Sequence, residues 1–136
     1  MTEKISTKDY SSFVSAVTSA PSTNYEDLIN RLDELNELGV NVPKLMTSYT
    51  GICAEAGEYA EVVKKILFQS KPYSEDNVFH MRREIGDILF YISMACEALG
   101  FSIDEAIQIN VEKLSARYPS GTFDAYFSEN RKEGDV

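Results

Sequence analysis

Apolar residues recur along this chain with the 3.6-residue period of an α-helix. In the longest such segment, residues 43–69, they are spaced three, four or seven apart, at Leu45, Ile52, Ala56, Tyr59, Val63 and Ile66. Residues 75–99 repeat the pattern with Met81, Ile85, Ile88, Ile92, Ala95 and Leu99. The alternation of apolar and polar residues that is typical of strands is missing from the sequence. The pattern predicts an all-α fold with two long central helices.

Three shorter amphipathic segments accompany these helices. The first is predicted from Thr7, as its N-cap, to about Thr18, and the second begins after Thr23 or Asn24 and is closed by Gly39. The third opens with a capping box at residues 102–105 and ends before Pro119. The aromatic residues of segment 123–127 predict a short docking segment. The sequence therefore predicts a bundle of about five helices, with apolar faces that partner subunits cover.

The length of 136 residues and a hydrophobic content of 43% are typical of one globular domain. We expect N-terminal helices over residues 1–42, a helical core over 43–118, and a C-terminal docking segment and tail over 119–136. The formal charge of −9 argues against nucleic acid or an anionic membrane as a partner. Because the N-terminus lacks the pattern of a signal peptide, we expect a cytoplasmic protein.

Two pairs of acidic residues stand out within the long helices. Glu55 and Glu58 form one pair, and Glu84 and Asp87 form the other, each with the i, i+3 spacing that places both side chains on one helix face. Two antiparallel helices would bring the four carboxylates together, where they repel one another unless a cation binds. Such oxygen ligands suit Mg²⁺, with Mn²⁺ as a substitute. The alternative is a solvated acidic face, but both pairs lie beside apolar stripes and not opposite them.

Two glycines lie inside the acid pairs. Gly57 and Gly86 each cost a helix about 1 kcal/mol relative to alanine. A close approach of neighbouring helices would explain why they are tolerated.

The sequence contains a specific combination of motifs. It consists of residues 55–58 (EAGE), 25 further residues, residues 84–89 (EIGDIL), and then Asn110, Lys113 and residues 117–119 (RYP). In this combination the chain resembles the MazG-like nucleoside triphosphate pyrophosphohydrolases, over roughly residues 47–123. The N-terminal helices and residues 68–73 further resemble compact single-domain members from bacteriophages, and a viral origin would place the protein in the host cytoplasm. Ala54 departs from members that carry a further glutamate before the first pair, which removes one acid from the site.

The resemblance implies the all-α NTP pyrophosphatase fold, assembled as a homodimer or homotetramer. It also implies hydrolysis of nucleoside or deoxynucleoside triphosphates between the α and β phosphates, giving nucleoside monophosphate and pyrophosphate. Glu55, Glu58, Glu84 and Asp87 are the expected catalytic residues and metal ligands. Because a triphosphate carries about four negative charges, an acidic site needs two or more bridging Mg²⁺ ions to hold it. One of these acids, or Glu61, would accept a proton from the attacking water.

Candidate phosphate contacts follow from the same resemblance. Asn110, Lys113, Arg117 and Tyr118 lie at the end of the fifth predicted helix, and Lys65 lies on the third. Lys65 has an equally good alternative role, since it follows Glu61 by four residues and can form a surface ion pair. His80, one turn before Glu84, is either a contact of the site or an exposed residue.

Other functions compete with this hypothesis. A di-iron carboxylate bundle would need two Glu-x-x-His motifs, which a chain with one histidine cannot supply. A non-catalytic helical interaction module needs none of the acids, and a hydrolase of modified nucleotides would use the same site. Guanine nucleotides, as dGTP or GTP, are the first expectation for the base.

Overall fold

A computed structural model describes residues 5–132 and residue 134 of the chain. Six α-helices and one 3₁₀ turn make up the regular structure of this part: α1 (Thr7–Val17), the 3₁₀ turn (Ala20–Ser22), α2 (Tyr25–Glu37), α3 (Val42–Phe68), α4 (Glu75–Leu99), α5 (Ile103–Arg117) and α6 (Ala125–Glu129). The all-α fold is thus confirmed, and α6 lies within the predicted docking segment. Contacts divide the chain into two compact units, Met1–Val42 and Pro43–Val136. That the two form a single domain stays a prediction.

The first unit contains α1, the 3₁₀ turn and α2. Ser6, and not the predicted Thr7, caps α1, because its side chain accepts from the backbone N–H of Asp9 in a capping box. The side chain of Asn24 accepts from the N–H groups of residues 26 and 27 and so caps α2. Gly39 follows α2 with a φ of +79°, a conformation that glycine adopts without strain.

In the second unit, α3 and α4 are antiparallel, as their cross-contacts demonstrate. Near the start of α3, Lys44 forms an ion pair with Glu97 near the end of α4. Further along, Gly51 faces Tyr91. Ser74 caps α4, and Gly100 ends it in the left-handed conformation with φ +76°. The axis then turns by 91° into α5, which Ser102 opens with the predicted capping box.

The close approach between helices occurs at a different glycine from those expected. A Cβ built on Gly51 would lie 2.3 Å from ring atoms of Tyr91, whereas one on Gly57 or Gly86 would meet nothing within 4 Å. The expectation for Gly57 and Gly86 is therefore wrong within the single chain. Gly51 is the residue whose missing side chain lets α3 accept the Tyr91 ring.

The apolar core of the described residues is small. Val62 and Cys96 are its buried hydrophobic residues, and Ser48 and Glu84 are buried as well. Ile85 and Leu99, both expected in the apolar stripe of α4, are instead 47% and 62% exposed. The predicted stripe is therefore only partly buried within one chain.

No individual helix among the described residues has the length and apolarity to cross a membrane, and the bent pair Glu75–Leu99 with Ile103–Arg117 meets that requirement by length and composition only.

Candidate active site

Three of the four predicted carboxylates converge between α3 and α4. Oxygen atoms of Glu55, Glu84 and Asp87 all lie within 4.8 Å of one another. Glu84 is 6% exposed, Glu55 is half-buried and Asp87 is exposed, so the group extends from the helix interface to the surface. The i, i+3 spacing on α4 and the antiparallel crossing of α3 together produce this arrangement.

The electrostatics of the group is unfavourable for three free carboxylates. Burial raises the pKa of Glu55 above its ordinary value of 4.5, and the charges of Glu58 and Asp87 and a side-chain hydrogen bond with Glu84 raise it further. A bound cation would offset the repulsion among these carboxylates. The donor set of this group therefore fits a divalent cation.

A second convergent group uses the fourth carboxylate. Ligand atoms of Glu58, His80 and Glu84 also lie within 4.8 Å of one another. Nε2 of His80 is 2.8 Å from Oε1 of Glu84, one turn along α4. Glu84 belongs to both groups and so joins them into one acidic site.

A cavity of about 410 Å³ opens beside this second group. Its wall contains Glu58, Glu61, Lys65, Lys71 and His80. The cavity is therefore lined by acidic side chains and by two lysines, a mixture that suits cations together with a phosphate chain.

Lys65 makes the ion pair that was its alternative role. Its Nζ is 2.9 Å from a carboxylate oxygen of Glu61, and Lys64 contacts the other oxygen. Hydrogen bonds from Lys64 and Lys65 lower the pKa of Glu61 to about 2. Glu61 is thus a weak proton acceptor, which argues against it as the general base.

The predicted residues of α5 lie apart from this cavity. Lys113 and Arg117 line a second cavity, of about 270 Å³, with Arg131 and Lys132 of the tail, and it shares no residue with the first. Asn110 is exposed on α5. Tyr118 contacts the ring of Phe123, with 5.8 Å between ring centroids. Among the described residues, the cavity that Lys113 and Arg117 line is thus a different one from the cavity that Glu58 lines.

The family model for the MazG nucleotide pyrophosphohydrolase domain matches residues 44–122, more than half of the chain. This chain belongs to the MazG family. The match contains both acid pairs and α5, and it begins after the first compact unit. The site between α3 and α4 is therefore the candidate active site of a MazG domain.

The MazG chain also has a curated relative, the gene 37 protein of Mycobacterium phage L5. The two are 32% identical over 72 residues, which are 52% of this chain and 63% of the phage protein. The chain thus spans under two thirds of that relative. No solved structure matches the chain.

Sequence reasoning on this MazG chain left two features unassigned. The sequence places Glu84 beside an apolar stripe but does not predict that it is buried. It offers two roles for His80, a contact of the site or an exposed residue. The available signal was the i, i+4 spacing of His80 and Glu84, which places the imidazole one turn from a carboxylate already assigned to the site.

Proposed function

We propose that this MazG chain hydrolyses nucleoside and deoxynucleoside triphosphates between the α and β phosphates, releasing nucleoside monophosphate and pyrophosphate. The observation that carries the proposal is the convergence of Glu55, Glu84 and Asp87 beside the cavity lined by Glu58. We place the activity in the cytoplasm, and we put dGTP and GTP first among its substrates.

Glu55, Glu58, Glu84 and Asp87 would hold two or more divalent cations, Mg²⁺ or its substitute Mn²⁺. When bound, such ions neutralise phosphate charge, polarise the phosphoryl group under attack and acidify water. The oxygen-rich donor set and the raised pKa of Glu55 support this assignment.

The chain's own residues then have distinct tasks. Glu84 is the buried member of the site, and Nε2 of His80 lies 2.8 Å from its carboxylate. One of the four acids would accept the proton of the attacking water, and the lowered pKa of Glu61 makes Glu61 a poorer candidate. Lys65 and Lys71, on the cavity wall, would bind phosphate oxygens.

We also assign phosphate contacts to Asn110, Lys113, Arg117 and Tyr118. The surroundings of Lys113 and Arg117 favour this assignment. Both line a cavity with Arg131 and Lys132, so cationic side chains are concentrated there although the chain is strongly acidic.

Replacing Arg117 with alanine should raise KM for the triphosphate, as measured by initial rates, while the helical circular dichroism spectrum stays unchanged.

The direct test is to incubate the chain with each common triphosphate and Mg²⁺ in ¹⁸O-labelled water. We expect ³¹P NMR to detect pyrophosphate with monophosphate, and mass spectrometry to find ¹⁸O in the monophosphate if water attacks the α phosphorus. Release of orthophosphate with a nucleoside diphosphate would contradict cleavage at the α–β bond. Absence of turnover with every triphosphate would favour a non-catalytic helical module, and modified nucleotides extend the panel to the house-cleaning alternative.

Substitution of single site acids tests the residues themselves. Glu58→Ala or Asp87→Ala should lower kcat/KM by at least about 100-fold, because each removes a ligand of the proposed cation site. Glu97→Ala, which removes an exposed acid of α4 outside the site, is the matched control and should stay near the wild-type rate. Full activity in both site variants would eliminate the proposed cation ligands.

A homodimer or homotetramer is the proposed assembly. Along α4, Ile85, Leu89 and Phe90 are 47%, 50% and 60% exposed. Ile85 and Leu89 are four residues apart and so share one helix face. Burial of such a face against a second copy would complete the small core of the described chain.

A further inference from the structure

Besides the oxygen-only group of Glu55, Glu84 and Asp87, the site contains a group with a nitrogen donor, namely Glu58, His80 and Glu84. Both Glu58 and His80 line the cavity of about 410 Å³, so the imidazole lies where a ligand from solvent can reach it. Glu84, at 6% exposure, is shared by the two groups. The two halves of the site therefore differ in donor chemistry.

The spacing of the atoms fits a six-coordinate ion. With metal–ligand bonds of about 2.1 Å, adjacent ligand atoms are about 3 Å apart and opposite ones about 4.2 Å apart. Nε2 of His80 and Oε1 of Glu84 are 2.8 Å apart, the separation of adjacent ligands. All three ligand atoms lie within 4.8 Å, so small side-chain rotations suffice to surround one ion.

We propose that His80 is a nitrogen ligand of a second cation position, formed with Glu58 and Glu84, which selects transition-metal ions over Mg²⁺. The inference rests on the proposed function for the presence of a cation site, but it concerns which ions that site takes. Carboxylate oxygens alone suit Mg²⁺ and Mn²⁺, whereas an imidazole among them favours Fe²⁺, Ni²⁺ or Zn²⁺. The competing explanation of the same contact is a plain ion pair between residues four apart on a helix.

Pulsed EPR of the tag-free chain with Mn²⁺ and no nucleotide tests this directly. Because His80 is the one histidine in the sequence, a ¹⁴N coupling of the imidazole type to bound Mn²⁺ belongs to it without ambiguity. We expect the coupling in the wild-type chain and in Asp87→Asn, which alters only the oxygen-only group. We expect its loss in His80→Gln, whose amide retains a hydrogen-bonding group near Glu84.

Calorimetric titration gives the second readout. His80→Gln should weaken Ni²⁺ binding at least about tenfold and leave Mg²⁺ binding within about threefold. Circular dichroism establishes that the variant keeps its helices. Absence of ¹⁴N coupling in the wild type at Mn²⁺ concentrations that saturate both groups, or equal Ni²⁺ affinities in wild type and His80→Gln, would overturn the proposal.

The outcomes separate this inference from the proposed function. Triphosphate hydrolysis with Mg²⁺ by a chain that lacks the ¹⁴N coupling would reject His80 as a ligand and leave the activity standing. A ¹⁴N coupling in a chain that hydrolyses no triphosphate would retain the ligand and reject the activity.

Discussion

Glu55 and Glu61 lie six residues apart on α3, yet their surroundings shift their pKa values in opposite directions. Burial and the acids Glu58, Asp87 and Glu84 raise the pKa of Glu55. Lys64 and Lys65 lower that of Glu61 to about 2. Cation binding is favoured where carboxylates repel, and proton acceptance is disfavoured where lysines already neutralise the charge.

The stability of the cation-free chain should reflect this contrast. Because the folded state raises the pKa of Glu55, its contribution to stability is present below pH 4.5 and is lost as pH rises through the folded-state pKa. Glu55→Gln should therefore raise the melting temperature at pH 7 in chelator and change it little at pH 4. Saturating Mg²⁺ should stabilise the wild type more than the variant.

Glu61→Gln is the isosteric control, and its effect on the melting temperature at pH 7 should have the opposite sign. Its carboxylate has a lowered pKa, so its contribution is present above pH 4.5 and is lost as pH falls toward 2. Differential scanning fluorimetry at pH 7 should find a lower melting temperature for Glu61→Gln. A decrease for Glu55→Gln under the same conditions would contradict the repulsion between the site acids.

At the scale of the elements, the site depends on how closely α3 and α4 cross. The Tyr91 ring occupies the space above Gly51, one turn of α3 before Glu55. Tyr91 in turn lies one turn of α4 beyond Asp87. The glycine–tyrosine contact therefore fixes the helix pair next to the carboxylates.

Substitution of the two glycines of α3 should have opposite effects. Gly51→Ala places a Cβ 2.3 Å from the Tyr91 ring and should destabilise the chain by about 1–3 kcal/mol. Gly57→Ala meets nothing within 4 Å and should stabilise it by up to about 1 kcal/mol through helix propensity. Urea denaturation measures both, and equal effects of the two substitutions would contradict the proposed contact.

At the scale of the whole molecule, the described chain leaves much apolar surface in water. Large hydrophobic residues of α4 and α5 are exposed, among them Leu89, Phe90, Ile107 and Val111. Patches of this kind mark interfaces in soluble proteins. The proposed dimer or tetramer gives these faces a partner of the same sequence.

Leu89→Glu should weaken this assembly, because a charge placed in a buried apolar interface loses its hydration. Light scattering after size exclusion should find a smaller mass than for the wild type at equal concentration. Gln69→Glu adds the same charge at an exposed position near the end of α3 and is the control. A wild-type chain that is monomeric would reject the assembly itself.

Several of these features were predictable from local sequence. The bounds of α4, the caps Ser74 and Ser102 and the stop at Gly100 follow from residues close in the chain, and the structure confirms them. The cap of α1 was misplaced by one residue, because Ser6 and Thr7 both carry a hydroxyl and only the backbone conformation distinguishes them.

By itself, the sequence determined the all-α fold, the two long helices and the spacing of both acid pairs, because helical periodicity and capping are local properties. Only the tertiary structure decided that Glu84 is buried, that His80 joins it with Glu58, and that Gly51 is the close contact instead of Gly57 or Gly86. These features depend on the rotation of α3 about its axis relative to α4. That rotation is set by packing between residues far apart in the chain, and a periodic pattern on either helix alone does not determine it.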